Sequence, residues 1–189
     1  MVDSTEVVRY NKIVMIMDLP YLLHLNFNQI PQKKPYLQCR ERDIEILKTN
    51  YFKTDKIKIG LNWRAKGMGM RDALYRTIDA SYYFKGLLDI EGVDYYSFQM
   101  GDILGMCEKY PQIKEIAHNF NTFEDTACSA EKLRYINYCR HSAYTSGGAL
   151  GVKTNLLLCH APDWRWFDKT EKTEWYPSVK IIKQKDRRT

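Results

Sequence analysis

From Lys56 onward the chain alternates short apolar runs with amphipathic stretches, and the apolar runs have the length of buried strands. This alternation is typical of βαβ units arranged around a parallel sheet. A parallel crossover needs about a dozen residues or more, so the spacing leaves room for a helix between successive strands. The predicted strands are Ile57–Trp63, Val93–Gln99, Ile113–His118, Tyr135–Arg140, Thr154–Cys159 and Val179–Ile182.

The stretches between these strands predict helices at Ile78–Leu88, Asp102–Tyr110, Phe123–Leu133 and Ser142–Leu150. Together the elements predict an α/β fold: a Rossmann-like, three-layer domain with a mainly parallel sheet of about six strands. Open sheets of this kind bind ligands at the carboxyl ends of their strands, near the point where the strand order reverses. The loops after residues 63, 99, 118, 140 and 159 are therefore where we expect a binding site.

Residues 1–50 have a different pattern. Pro20, Pro31 and Pro35 interrupt any long helix, and the stretch 40–50 favours a short one. A chain of 189 residues is close to the size of one domain. We therefore expect an N-terminal extension or interdomain linker over 1–50 and a single Rossmann-like domain over 51–189.

The composition is that of a globular protein, with 44% hydrophobic and 28% charged residues. No apolar stretch approaches the roughly 18 residues of a membrane span, and the first residues lack the pattern of a secretory signal. A cytoplasmic location follows as an expectation. The five cysteines are scattered without a C-x-x-C pair, so reduced thiols are expected. Cys139, His141, Cys159 and His160 match no standard zinc spacing, and we predict no metal site.

A formal net charge of +6 admits an anionic ligand such as a diphosphate, or a nucleic acid. The charge can also be explained without any ligand, because the basic residues are spread along the chain rather than gathered in one block. A nucleic-acid-binding module is the least favoured of these interpretations, since no recognised binding motif accompanies the charge.

Four segments occur together in a characteristic order. In that order and spacing they resemble the C-terminal domain of tetratricopeptide-linked glycosyltransferases related to the bacterial ADP-heptose:LPS heptosyltransferases, which are similar to glycosyltransferase family 9 and have the GT-B architecture. The segments are Lys58–Trp63 with Asp72 and Arg76–Ile78; Tyr95–Asp102; Phe123–Ala127 leading to Gly148–Gly151; and Pro162–Trp166 with Trp175–Pro177.

In such enzymes the C-terminal domain holds the nucleotide sugar, and an N-terminal Rossmann-like domain usually supplies the acceptor site and the catalytic base. The resemblance therefore implies one half of a GT-B architecture: a nucleotide-sugar or nucleoside-diphosphate binding domain, incomplete for catalysis alone. If active, it would transfer a hexosyl or heptosyl group. The nucleotide sugar would be a substrate, with no further cofactor, and the partner a separate N-terminal glycosyltransferase domain or a repeat protein. No catalytic residue can be assigned from the sequence.

The candidate ligand residues follow the predicted strands. Arg64, Lys66 and Arg76 come after the first strand and are cations suited to phosphate, although a solvated basic loop explains them equally well. Gln99 and Asp102 follow the second strand and can contact ligand hydroxyls, while Asp102 can equally be a helix N-cap. Thr126 begins the helix whose loop often meets the nucleobase in the relatives.

The stretch after the fourth strand carries the remaining candidates, Arg140, His141, Ser142, Thr145 and Gly148. A helix that begins there can hold a diphosphate at its N-terminus; alternatively Ser142 is only a cap, and Gly148 only permits close packing. The relatives usually carry Asp-Thr where this sequence has Arg140-His141, and a cation cannot accept a hydrogen bond from a ribose. Arg140 and His141 can instead clamp phosphate oxygens, or the chain is a degenerate binding or scaffold module.

The aromatic segment Pro162–Trp166 allows two interpretations, a lid over the ligand or a structural plug at the edge of the sheet. We favour the plug, because Trp175–Pro177 offers a matching apolar surface.

Overall fold

The computed structural model describes residues 11–26, 29, 35–64, 79–101, 105–139, 143–160, 162, 166 and 171–185. The chain divides into two compact units, Met1–Pro31 and Gln32–Thr189. In the first unit a short 3-10 turn, Ile16–Asp18, leads into helix α1, Leu19–Leu22, which has a proline in its first turn. Pro fits there because the N–H that it lacks would have no partner within the helix.

In the described part of the second unit, six strands form one sheet in which every pairing is parallel. The order across the sheet is β3-β2-β1-β4-β5-β6. The strands are β1 Ile57–Asn62, β2 Val93–Ser97, β3 Ile113–Glu115, β4 Tyr135–Cys139, β5 Thr154–Leu158 and β6 Val179–Lys183. All six predicted strands are confirmed.

The helices of this unit fall where the sequence pattern predicts them. They are α2 Glu41–Asn50, α3 Ala80–Phe84, α4 Met106–Lys109, α5 Phe123–Glu131 and α6 Ala143–Ala149. Residue 44 of α2 is buried, and α2 packs against α5, where Arg40 donates two hydrogen bonds of 3.1 Å to the carboxylate of Glu124. Helix α2 therefore belongs to the same compact unit as the sheet.

Two hydrophobic clusters cover opposite faces of the sheet, because successive strand residues point to opposite sides. Tyr96 packs with α5 residues in one cluster, whereas its neighbour Tyr95 packs with α3 and α4 residues in the other. Gly60 of β1 lets the cluster that contains Tyr96 and Leu133 approach the sheet closely. A Cβ at residue 60 would lie 2.6 Å from Leu133 Cδ1. The predicted three-layer Rossmann-like arrangement is confirmed.

Two elements, β3 and α3, end three or more residues earlier than the pattern predicts. The third strand stops at Glu115, and residues 117–119 form a 3-10 turn, where the carboxylate of Glu115 accepts a 3.0 Å hydrogen bond from the N–H of His118. Helix α3 begins after Asp79, whose carboxylate caps Ser81, and it ends before Gly86, which has a φ of 76°. A positive φ is easily reached by glycine and stops a helix.

Candidate functional site

The strand order reverses between β1 and β4. From β1 the chain proceeds through β2 to β3 on one side, and it then returns to place β4 on the other side of β1. A crevice forms at the carboxyl ends of two such strands, because the loops that follow them turn to opposite sides. The residues directly after β1 and β4 therefore flank the expected ligand position. Of the predicted site residues, Arg64 follows β1 and Arg140 follows β4 in the sequence.

The loops after β1 and β2 are held together by side-chain amides. The side-chain carbonyl Oε1 of Gln99 accepts a 2.9 Å hydrogen bond from the backbone N–H of Arg64. Gln99 is 6% exposed, and its own N–H donates to Ser97 Oγ at 3.2 Å. The fully buried Asn62 donates through Nδ2 to the carbonyl of Phe98 at 3.4 Å. The structure thus brings two predicted site residues, Arg64 and Gln99, together at the carboxyl edge.

A pair of asparagines lies on the strands beyond the crevice. Asn155 of β5 donates through Nδ2 to Asn137 Oδ1 of β4 at 2.7 Å, and the two residues are directly paired in the parallel register. Asn137 is 9% exposed. An amide in a strand covered on both faces needs a partner, and Asn155 is that partner. The sequence shows Asn137 as unusual in a buried strand but gives no signal for its pairing with Asn155.

Gly148 is covered by an aromatic ring. A Cβ at this position would lie 2.5 Å from Tyr176 Cγ, so the ring packs directly on the helix backbone. Tyr36 in turn stacks on Tyr176 with ring centroids 6.5 Å apart, and the two hydroxyls lie 3.3 Å apart. The neighbouring Gly147 faces the sheet, where a Cβ would lie 2.8 Å from Thr154 Oγ1. Both glycines therefore allow close packing. This agrees with the interpretation in which Gly148 serves helix packing.

The other described candidates lie in elements of known bounds. Thr126 is the fourth residue of α5, which Thr122 and Asp125 cap reciprocally, and it is partly buried. The backbone of Thr145 lies in α6, and nothing is described of its side chain. Trp166 is 2% exposed and packs in the same cluster as Leu158 and Ile181, consistent with a structural plug. Six predicted site residues lie outside the described residues: Lys66, Arg76, Asp102, Arg140, His141 and Ser142.

A histidine that the sequence reasoning did not select lies just after β3. His118 Nδ1 is 2.5 Å from Glu115 Oε2, and its Nε2 is 2.6 Å from Asn119 Nδ2. An imidazole whose Nδ1–H donates to Glu115 accepts at Nε2 from the amide of Asn119. His118 thus has both ring nitrogens engaged by neighbouring side chains. Its i,i+3 spacing from Glu115 is the sequence signal for this pair.

The described residues contain neither a metal-binding cluster nor a membrane-spanning helix. No group of three His, Cys, Asp or Glu side chains in these ranges lies close enough to hold a metal ion. Among the same residues, no helix combines the length and the apolar character that crossing a membrane requires. Among the described residues, the candidate site at the carboxyl edge consists of the side-chain amides of Asn62 and Gln99 and of Arg64.

The Rossmann-like fold of this chain is similar to that of two solved glycosyltransferase structures. The first is ADP-heptose LPS heptosyltransferase II of E. coli, with a TM-score of 0.57 and 15% identity, covering 80% of this chain and 46% of that one. The second is a glycosyl transferase family 9 protein from Veillonella parvula DSM 2008, with a TM-score of 0.51 and 13% identity, covering 79% of this chain and 42% of that one.

The chain thus spans less than half the length of these two proteins. No model of a known protein family matches the chain, and neither does any curated protein sequence. The predicted likeness to heptosyltransferases is confirmed at the level of the fold, whereas the predicted link to tetratricopeptide proteins has no support in these comparisons.

Proposed function

We propose that this chain is a glycosyltransferase-like domain that binds the nucleoside diphosphate part of a nucleotide sugar at the carboxyl edge of β1, β2 and β4. The observation that carries the proposal is the reversal of strand order between β1 and β4, in a fold shared with a heptosyltransferase and a glycosyl transferase family 9 protein. Ligands of doubly wound sheets bind at this reversal.

The chemistry of the edge supports an anionic, hydroxyl-rich ligand. Arg64 supplies a guanidinium, which is well matched to phosphate oxygens, and Gln99 holds the Arg64 backbone in place. The Gln99 side chain uses its carbonyl for this contact, which leaves its NH₂ to meet a ligand oxygen. In the sequence, Lys66 and Arg76 follow β1, and Arg140, His141 and Ser142 follow β4, and we propose these residues as further phosphate-binding groups.

Glycosyl transfer by this chain would require a second domain. A GT-B active site lies between two domains, and the chain covers 46% and 42% of the two structures whose fold it shares. We propose that a separate domain or protein supplies the acceptor site and the catalytic base, and that the present chain retains the donor. Its activity alone is expected to be very low, whereas donor binding alone is expected to be measurable.

Thermal unfolding with a panel of nucleoside diphosphates and nucleotide sugars tests donor binding, because a ligand that binds only the folded state raises the unfolding midpoint. A rise that depends on the base and saturates with concentration is expected. Arg64→Ala should reduce the rise, since it removes the guanidinium but keeps the backbone N–H that Gln99 accepts.

Arg134→Ala is the matched control. Arg134 is an exposed cation that precedes β4 at the opposite, amino-terminal edge of the sheet, so its loss changes the net charge equally. No midpoint shift with any nucleotide at millimolar concentration would indicate a degenerate scaffold module instead. An equal loss of the midpoint rise in both variants would show that nucleotide binding depends only on the net charge of the chain.

A further inference from the structure

A polar cavity lies at the end of the sheet opposite to the proposed donor edge. Its volume is about 640 Å³, and α2, the loop between α2 and β1, the start of β1 and the end of α5 line it. Four lysines contribute to the wall, namely Lys48, Lys53, Lys58 and Lys132. Phe52, Thr49, Thr54, Glu45 and Asp55 complete it.

The charge of this cavity, which we call the lysine cavity, is positive. Its four lysines face two carboxylates, and one of these, Glu45, already pairs with Lys48 at 3.5 Å. In the described part of the chain, Lys53, Lys58 and Lys132 have no carboxylate within ion-pair distance. Three ammonium groups around one concave space repel one another, and an anion between them relieves that repulsion.

One of these ammonium groups is held in place by the backbone. Lys58 Nζ donates to the carbonyl of Thr54 and to the carbonyl of Lys56, the latter at 3.2 Å. An ammonium has three N–H donors, so two carbonyls leave one donor for a ligand. The backbone of Lys58 is also bound to the residue before β4, since its carbonyl accepts from Arg134 N at 2.9 Å. Lys58 therefore offers a positioned donor rather than a mobile surface charge.

The loop that carries Lys53 and Thr54 is anchored as well. The buried ring of Phe52 packs edge-on against Tyr96, with centroids 4.8 Å apart, and the hydroxyl of Tyr96 donates to the carbonyl of Tyr51 at 3.2 Å. Thr54 Oγ1 donates to the buried carboxylate of Asp94. These contacts fix the floor of the lysine cavity before any ligand arrives, which lowers the entropy cost of binding.

We propose that the lysine cavity is a binding site for a small oligophosphate anion, separate from the donor site. Lysine ammonium groups bind phosphate oxygens as point charges, and the volume is within the range of small-molecule sites. Lys58 is the second residue of β1 and Arg64 comes two residues after its end, so the two sites lie up to roughly 20 Å apart along the chain direction. One nucleotide sugar bound at the carboxyl edge does not fill the lysine cavity.

Calorimetric titration with inorganic tripolyphosphate tests this proposal on the full chain. We expect saturable one-to-one binding that weakens as the ionic strength rises from about 0.05 to about 0.3 M, because partly exposed charges are screened by salt. The double variant Lys53→Gln/Lys132→Gln should weaken binding by about tenfold or more, since two charge-assisted contacts are lost. Lys58 is left unchanged because its ammonium also holds the loop.

The matched control is Lys85→Gln/Lys109→Gln, which removes the lysine that follows α3 and the last residue of α4, on the other face of the sheet. This variant should bind tripolyphosphate as the unmodified chain does, and so should Arg64→Ala. Equal weakening in both double variants, or no saturable binding at low salt, would overturn the proposal. Displacement of tripolyphosphate by a single-stranded RNA that binds more tightly would overturn the small-ligand assignment.

Nucleotide binding is measured separately from tripolyphosphate binding, so the two proposals can fail independently. Loss of nucleotide binding in Arg64→Ala with tripolyphosphate binding intact separates the two sites. Loss of both ligands in Lys53→Gln/Lys132→Gln would show that the lysine cavity is the nucleotide site, which contradicts the proposal of a separate site.

Discussion

Replacing Gly148 by alanine tests whether this glycine serves packing or ligand approach. The added Cβ would lie 2.5 Å from Tyr176 Cγ, 2.6 Å from Cδ1 and 2.9 Å from Cβ. Favourable contacts between carbon atoms need about 3.5–4.0 Å, so the ring must move by roughly 1 Å. That movement disturbs the stacking of Tyr176 on Tyr36 and the 3.3 Å contact between their hydroxyls.

The expected cost follows from two opposing effects. Overpacking of this kind costs about 1–3 kcal/mol, while alanine is favoured over glycine in a helix by up to about 1 kcal/mol. Gly148 is the penultimate residue of α6, so the gain in helix propensity falls at the low end. We expect the free energy of unfolding to fall by about 1–2 kcal/mol, which lowers the midpoint by roughly 2–8 °C in a chain of this size.

Urea unfolding of a double-mutant cycle provides the assay. In a Tyr176→Ala background the ring is gone and only the 2.9 Å approach to the Cβ of residue 176 remains, so Gly148→Ala should cost clearly less than in the unmodified chain. The coupling free energy should then be about 1 kcal/mol or more. An equal cost in both backgrounds would refute the packing role. Unchanged stability with loss of nucleotide binding would instead place Gly148 in the binding site.

Three further substitutions test the stability of the domain. Thr122→Ala removes the capping box with Asp125 and should cost about 1 kcal/mol, measured by urea unfolding; no change would mean that the cap is unimportant. Ser129→Ala should stabilise by about 1 kcal/mol, because the buried Oγ of Ser129 has no hydrogen-bond partner among the described residues, and a loss of stability would contradict this. Burial opposes the charge of Asp94, but its hydrogen-bond partners, including Lys114 at 3.0 Å, outweigh burial and lower its pKa. The resulting stability is present above the unfolded pKa of about 3.9 and is lost as the pH falls through the lower folded value, so Asp94→Asn should flatten acid unfolding; parallel acid curves would refute this.

The order of strands and helices could be predicted from the sequence because each element carries a local pattern. The apolar runs have the period and length of buried strands, and helices α3 and α5 begin at the side-chain caps Asp79 and Thr122. The ends of strands and helices were less predictable where a side-chain hydrogen bond redirects the backbone. The carboxylate of Glu115, for example, binds the N–H of His118 and turns the chain out of the strand.

The site was only partly predictable because its contacts join distant residues. Arg64 and Gln99 were selected as separate ligand candidates, and nothing local shows that one holds the backbone of the other across 35 positions. The same applies to Gly148 of α6, which Tyr176 covers from the loop that precedes β6. The lysine cavity has no sequence signature, since Lys48, Lys58 and Lys132 come from three elements that only the fold brings together.

The location of the bound nucleotide tests the central claim most directly. Backbone amide NMR spectra of the labelled chain, recorded while a nucleoside diphosphate is added, report which residues lie near the ligand. The account predicts progressive shifts for the amides of Trp63, Arg64 and Gln99 at the carboxyl edge, whether or not Lys53 and Lys132 also respond. Shifts confined to the lysine cavity, or none at millimolar ligand, would contradict it.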